Sequence, residues 1–370
     1  MQISDEQYFL EYKTLEKEFY TLISHLPTNF PKAINLQEEK KKFFKAIEEK
    51  KIYNPQILFT AKIYPLHAIE KLKQFEVNTQ HDKYGFKELL KERALAKINE
   101  VECHRLWGTP KSTLYGLKYR GQPSKKLLES ATKFVKQYKR KKVKFKILTP
   151  QIAAQRLHNE VKHLTGEDIS IKYNENLTSK MNVSPKNNLL NINPKERFTS
   201  LDVKRLKVHE IGTHYMRNFN ARQFGLKILE TGTANYIETE EGLAAYMEYI
   251  KGVSSDAQMF IYAGRVIATH YALSKSFYEV YHILKKYNFK DSDAFSITYR
   301  AKRNIGDTSK PGGFTKDYVY YSGFYKIKKY VNEGKDLKKL FIGKIKIEDL
   351  DIIDDFVEQH LKSIKTILNT

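Results

Sequence analysis

A mainly helical α+β fold is predicted by where the hydrophobic period changes along the 370 residues. Through about residue 142 apolar side chains recur at helical intervals. Between 143 and 192 short runs alternate as strands do, and helical spacing then resumes. Two parts follow: a helical N-terminal region, 1–142, packed on a second part, 143–370, in which a small mixed sheet leads straight into a helix.

In the first part Tyr8, Leu10, Leu15, Phe19, Leu22 and Ile23 mark one helix. Phe43, Phe44 and Ile47 mark another, and Leu89, Leu90, Ala94, Ile98 and Val101 a third. Pro55 and Pro65 separate elements, because proline cannot sit in a helix interior without losing a hydrogen bond. Trp107-Gly108-Thr109-Pro110 marks a break before a helix near 124–140. The pattern changes at Val143-Lys144-Phe145-Lys146-Ile147, a short alternating strand, and a helix over about 150–164 follows. Ile169-Ser170-Ile171-Lys172-Tyr173 alternates again. Met181-Asn182-Val183 and Leu189-Leu190-Asn191-Ile192 flank Ser184-Pro185-Lys186-Asn187-Asn188, which reads as a hairpin with a polar turn. Thr199 or Ser200 can cap the next helix. Further on, 256–287 reads as a long helical region rich in Tyr and Phe. Such a stripe is ordinarily core, and Tyr262, Tyr271, Tyr278 and Tyr281 are the members that could wall a pocket.

The helix after the sheet carries His209-Glu210-Ile211-Gly212-Thr213-His214, and a helix-sized interval later comes Thr239-Glu240-Glu241-Gly242-Leu243-Ala244. A lone helical histidine is usually a core or cap residue. This pair stands apart among the 11 histidines because an acid adjoins its first member and a Glu-Gly-Leu-Ala run follows. Two neutral imidazoles and one carboxylate make a three-donor site for zinc with a position left for water. A carboxylate beside a ligand histidine can take that water's proton, and Glu210 is the candidate base. The commoner pattern sets its histidines at i and i+4. Here they stand at i and i+5, about 140° apart on a regular helix of roughly 100° per residue. An overfull turn is therefore expected, a single-turn π-bulge with Gly212 or Thr213 as the inserted residue. Glu238, Glu240, Glu241 and Glu248 all lie within reach as third ligand. Glu241 is preferred, because the small Gly242, Ala244 and Ala245 after it let two helices approach closely, with Glu240 as a solvated or supporting partner. A small sheet leading into a metal-bearing helix is the layout of zinc peptidases, so 143–370 reads as a zinc metallopeptidase catalytic domain. Its candidate edge strand, able to pair with an extended substrate, is 189–192.

These motifs also resemble the metallopeptidase family named for a Gln-Glu-Gly-Leu-Ala motif, whose animal members include the microtubule-associated tyrosine carboxypeptidases. The likeness rests on residues 209–214 and 240–244, and on Arg300-Ala301-Lys302-Arg303 through Asp307-Thr308-Ser309-Lys310-Pro311-Gly312-Gly313-Phe314-Thr315-Lys316-Asp317. The resemblance implies zinc on His209, His214 and Glu241, with Glu210 as catalytic base. It implies removal of a C-terminal residue, tyrosine or another aromatic. The sequence departs from the family pattern at Glu240, where the name motif has Gln, and at Lys207-Val208, where another histidine is expected. Neither position is a ligand, and both leave the substrate open.

Lys and Arg number 65 against 43 Asp and Glu, a formal charge of +22, which favours anionic partners. The densest cluster, 133–144, interleaves basic residues with aromatics. It reads as a solvated helix running into a strand, since no glycine-rich phosphate loop, helix-turn-helix signature or ribonucleoprotein motif points to nucleic acid. One cysteine, Cys103, leaves no disulfide framework, as expected in a reducing cytosol. No leader or membrane span is read, so a cytoplasmic protein is expected. Arg300, Lys302 and Arg303, with Lys316 and Tyr320 beyond the loop, are the candidates for binding substrate. Their cations would clamp the terminal carboxylate of a peptide or protein tail, acidic tails being favoured. The competing reading is a non-catalytic zinc protein that holds nucleic acid or acidic proteins on its basic surface. An intact Glu210 argues for the enzyme, because a structural zinc site needs a fourth ligand and no base.

Overall fold

Capping residues and aromatic stripes set the helices of the computed structural model, which describes residues 4–27, 29–140, 145–175, 177 and 179–368. The chain divides into two units. Residues 1–139 and 256–322 form the first, 140–255 and 323–370 the second. One cut falls near 140. The segment 256–322 belongs with the N-terminal helices.

In the first unit, Asp5–Ser24 begins where Ser4 accepts from the Gln7 N–H, and it buries Tyr8, Tyr12 and Phe19 on one stripe. Leu36–Glu48, Leu66–Gln74 and Phe86–Arg105 follow. The Trp107–Pro110 break opens a helix the sequence reading passed over, Pro110–Arg120, with proline at its first turn where no N–H is needed. Lys125–Gln137 comes next, near its expected place. The aromatic region 256–287 is two helices, Asp256–Ala272 and Phe277–Lys286. Ser276 and Glu279 form a capping box at the start of the second, which forces the interruption. Phe43 packs against Phe277, Tyr281 and Phe295 with ring centroids 4.9 to 5.4 Å apart, which ties sequence-distant helices into one core. Full burial of each such ring contributes roughly 1.5–3 kcal/mol.

The second unit starts with β1, Ile147–Leu148; the expected strand residues Val143 and Lys144 lie outside the described residues. Pro150–Thr165 follows, ended by Gly166 at φ 79°, a left-handed position suited to glycine. Then come β2 (Ser170–Tyr173), β3 (Met181–Ser184), β4 (Leu189–Ile192) and β5 (Phe198–Thr199). β1 pairs with β5 antiparallel. The other sheet has the order β2-β4-β3, β2 parallel and β3 antiparallel to β4. It is the small mixed sheet that was expected, with one correction. β4 was expected at the edge and lies in the middle, because 189–192 bonds β3 through the hairpin and β2 on its other side. β2 and β3 are the two edge strands. No described helix is long and apolar enough to cross a membrane.

Candidate metal centre

Thr199 caps the helix after β5 in a reciprocal box with Asp202, and the helical path runs unbroken over 200–224. Its middle, Lys207–Tyr215, is π-helical. The overfull turn inferred from the i, i+5 spacing is therefore present, and it extends over nine residues instead of a single bulge. The Thr213 hydroxyl donates to the Val208 carbonyl at 2.9 Å, five residues back, which braces the wide turn. Gly212 is needed for packing: a Cβ there would meet the Ile367 side chain at 2.4 Å.

The wide turn brings His209 and His214 onto one side, ring centroids 4.8 Å apart and nearly perpendicular. The helix Ile237–Ile250 supplies Glu241. Its Oε2 lies 3.6 Å from His209 Nε2 and 3.7 Å from His214 Nε2, and the three donor atoms lie within 4.8 Å of one another. Among the described residues no other His, Cys, Asp or Glu group gathers donors in this way. Glu210 stands outside the trio. It is part-exposed, and among the described residues it makes no hydrogen bond or ion pair.

The remaining nitrogens of both imidazoles face carboxylates. His209 Nδ1 lies 2.6 Å from Glu248 Oε1, which also accepts from Arg205 Nη1 at 2.9 Å. His214 Nδ1 lies 2.7 Å from Glu240 Oε1, while Glu240 Oε2 accepts from Arg217 Nη1. Arg217 is fully buried and donates onward to the Ile345 carbonyl at 3.0 Å. A carboxylate only accepts, so each Nδ1 carries its proton, and each Nε2, turned toward Glu241, would offer its lone pair to a metal once it gives up its own proton. The donor set thus fits a zinc ion with three protein ligands. Burial pulls the His214 pKa down, but Glu240 and Glu241 outweigh it and push it up to about 10. Burial likewise opposes ionisation of Glu240, yet Arg217 and His214 hold its pKa at about 2. Of the four glutamates within reach, Glu240 and Glu248 orient the histidines, Glu241 faces both Nε2 atoms, and Glu238 pairs with Lys326 at 2.8 Å. The supporting arginines were missed. Arg205 carried a usable signal, one helical turn before His209; Arg217 carried none beyond its type.

The model of the family described as Microtubule-associated tyrosine carboxypeptidase matches residues 41–365. The chain belongs to that family. Over 151 residues it is 36% identical to Microtubule-associated tyrosine carboxypeptidase 1 of Homo sapiens, and over 157 residues 32% identical to the protein of the same name from Rattus norvegicus. Each comparison covers 39% of this chain and 31% of the relative, so the chain spans about a third of the length of these tyrosine carboxypeptidases.

The other candidates lie in the first unit. Arg300 grips Asp317 with two donors, Nε at 2.5 Å and Nη2 at 3.0 Å, and Arg303 reaches the same carboxylate at 3.4 Å. Lys302 requires a correction. It is 1% exposed and its ammonium donates to the carbonyls of Lys275, Lys310 and Ala272, so it shapes the loop and has no proton left for a substrate. Lys316 is half-buried, and Tyr320 stacks on Tyr262 with centroids 5.0 Å apart. Tyr262 and Tyr281 are core; Tyr271 and Tyr278 are half-buried. In the basic cluster, Lys133, Lys136 and Lys139 face solvent while Tyr138 stacks on Phe260 at 4.5 Å, so that aromatic is not open to a base. Residues 141–144 of the cluster lie outside the described residues.

Proposed function

We propose that this protein is a zinc-dependent carboxypeptidase that removes a C-terminal residue, with tyrosine or another aromatic as the residue class suggested by the names of its relatives. The observation that carries the reading is the trio His209, His214 and Glu241 with a separate, uncommitted Glu210 beside it. Three protein donors in place of four leave room for water and substrate. Zinc held there would polarise the scissile carbonyl and acidify water. Glu210 would accept the water's proton on its carboxylate and pass it to the departing amine. Glu248 and Glu240 would keep both imidazoles in the Nδ1–H form throughout. β3 packs against the π-helical segment. The Asn193 N–H bonds the Lys180 carbonyl, and ladder alternation then turns the backbone of Met181 and Val183 to the open edge. The Ser179 hydroxyl already occupies the Met181 carbonyl. Val183 is the residue best placed to pair with an extended substrate.

The test is incubation of purified protein with peptides of varied C-termini, with and without chelator. Chelator-sensitive loss of single C-terminal residues is expected. Glu210→Gln should bind zinc normally and lose about 10²- to 10⁴-fold in rate. Glu241→Ala should lose zinc more severely than Glu240→Ala. Undiminished hydrolysis by zinc-loaded Glu210→Gln would overturn the role of the base.

A further inference from the structure

The first unit contains more positive charge than its own carboxylates answer. Asp317, 1% exposed, is held well below the usual carboxylate range: burial alone would raise it, but Arg303, Arg300 and Arg265 outweigh that effect. Arg300 and Arg303 bond its oxygens. Arg265 does not. Its guanidinium carbon lies 4.7 Å from the centroid of Tyr320 and 5.3 Å from that of Tyr262, two rings stacked 22° from parallel. Among the described residues it has no ion pair and no hydrogen bond, and its Nε is buried without an acceptor. The buried Nε of Arg303 is in the same condition, with the Arg303 guanidinium lying 4.6 Å over Phe314. Stacking fixes the plane of a guanidinium and leaves its edge donors available, while partial burial raises the cost of leaving them unanswered. Two guanidiniums near one carboxylate, those of Arg265 and Arg303, keep a buried Nε without an acceptor, which suits a planar, doubly accepting anion.

We infer that Arg265, on its Tyr262–Tyr320 platform beside Arg300, Arg303 and Asp317, is a binding site for a carboxylate of a peptide. The peptide as ligand rests on the peptidase reading; the anion site itself does not. The carboxylate has two possible sources, a free C-terminus or an Asp or Glu side chain. The aromatic platform adds contact area for an apolar or aromatic neighbour of that carboxylate.

The probes are acetyl-Ala-Glu-Ala-Tyr with a free C-terminus, its C-terminal amide, and the same free peptide with Gln in place of Glu. Binding is measured by calorimetry to the full chain, zinc-loaded and carrying Glu210→Gln so that nothing is consumed. One neutralised peptide should bind about ten- to a hundredfold more weakly than the parent, and which one it is identifies the source. Arg265→Ala should bring the parent down to the level of that neutralised peptide. Arg265→Lys should recover only part of the difference, because an ammonium keeps the charge without the fork. Lys126→Ala removes the same charge from an exposed position and should change nothing, which separates a site from the general positive field. A cooperative thermal melt of Arg265→Ala matching that of the parent guards against a folding defect being taken for a lost contact. Equal binding of all three peptides, or an Arg265→Ala protein that still discriminates among them, overturns the site. Discrimination in a wild-type protein that hydrolyses nothing would instead overturn the peptidase reading and leave the site standing.

Discussion

Replacing Glu248 tests whether the carboxylates behind the histidines do what their geometry implies. Glu248 is fully buried and accepts from two donors, His209 Nδ1 at 2.6 Å and Arg205 Nη1 at 2.9 Å. Glu248→Ala takes that acceptor from both. Removing one member of a buried charged set costs about 3–5 kcal/mol. The Arg205 side chain is 25% exposed and can turn to water, so the lower end, about 3 kcal/mol, applies. At about 2–4 °C per kcal/mol, the zinc-free protein should melt roughly 6–12 °C lower. Zinc affinity should fall about 10- to 100-fold, since His209 loses the partner that fixes its ring and tautomer. Glu248→Gln keeps the volume and one accepting oxygen. Its NH₂ falls where Oε2 now sits buried without a partner among the described residues, so a smaller cost of about 1–2 kcal/mol is expected. Calorimetric melting of the zinc-free protein and competition against a chelator of known affinity give the two readouts. Wild-type zinc affinity in a folded Glu248→Ala protein would refute the orienting role. Equal losses for Gln and Ala would assign the effect to charge alone.

Two further outcomes follow from the same unit. A Cβ on Gly242 would stand 2.2 to 2.5 Å from backbone atoms of Gly323, so Gly242→Ala must push the helix Ile237–Ile250 away from Gly323. A loss of about 1–3 kcal/mol in thermal melts is expected, with weaker zinc binding because Glu241 rides on the displaced helix; an unchanged melt and full zinc occupancy would contradict it. In zinc-free protein the His214 pKa is raised from 6.5 to about 10. The stability it contributes is fully present below pH 6.5 and is lost as pH rises through about 10. Zinc must displace that proton, so calorimetry near pH 7 in buffers of different ionisation enthalpy should register proton release, and uptake of zinc without it would refute the coupling.

The parts of the site legible in the sequence were those written in local spacing. The i, i+5 histidines forced an overfull helix, and Lys207–Tyr215 is π-helical. What spacing could not assign was the work of four nearby glutamates, because Glu240 and Glu241 are neighbours whose side chains diverge. One turns to His214 Nδ1 and a buried arginine, the other to both Nε2 atoms. Local pattern also misplaced partners. Small residues after Glu241 were read as room for the metal helix, yet Gly242 makes room for Gly323, distant in sequence. The strand 189–192 looked like an edge because the hairpin showed its pairing with β3, whereas its parallel pairing with β2, a strand read from the sequence, is not written in local spacing. The basic loop repeats the lesson. Arg300, Lys302 and Arg303 look alike as a cationic run, but helical geometry sends Lys302 inward to three carbonyls and leaves the arginines to meet at Asp317. Charge type is written in the sequence; whether a charge is already answered depends on the fold. On that criterion Arg265, in a helix the aromatic pattern had marked as core, is a cation with an unanswered donor, and Lys302 is not.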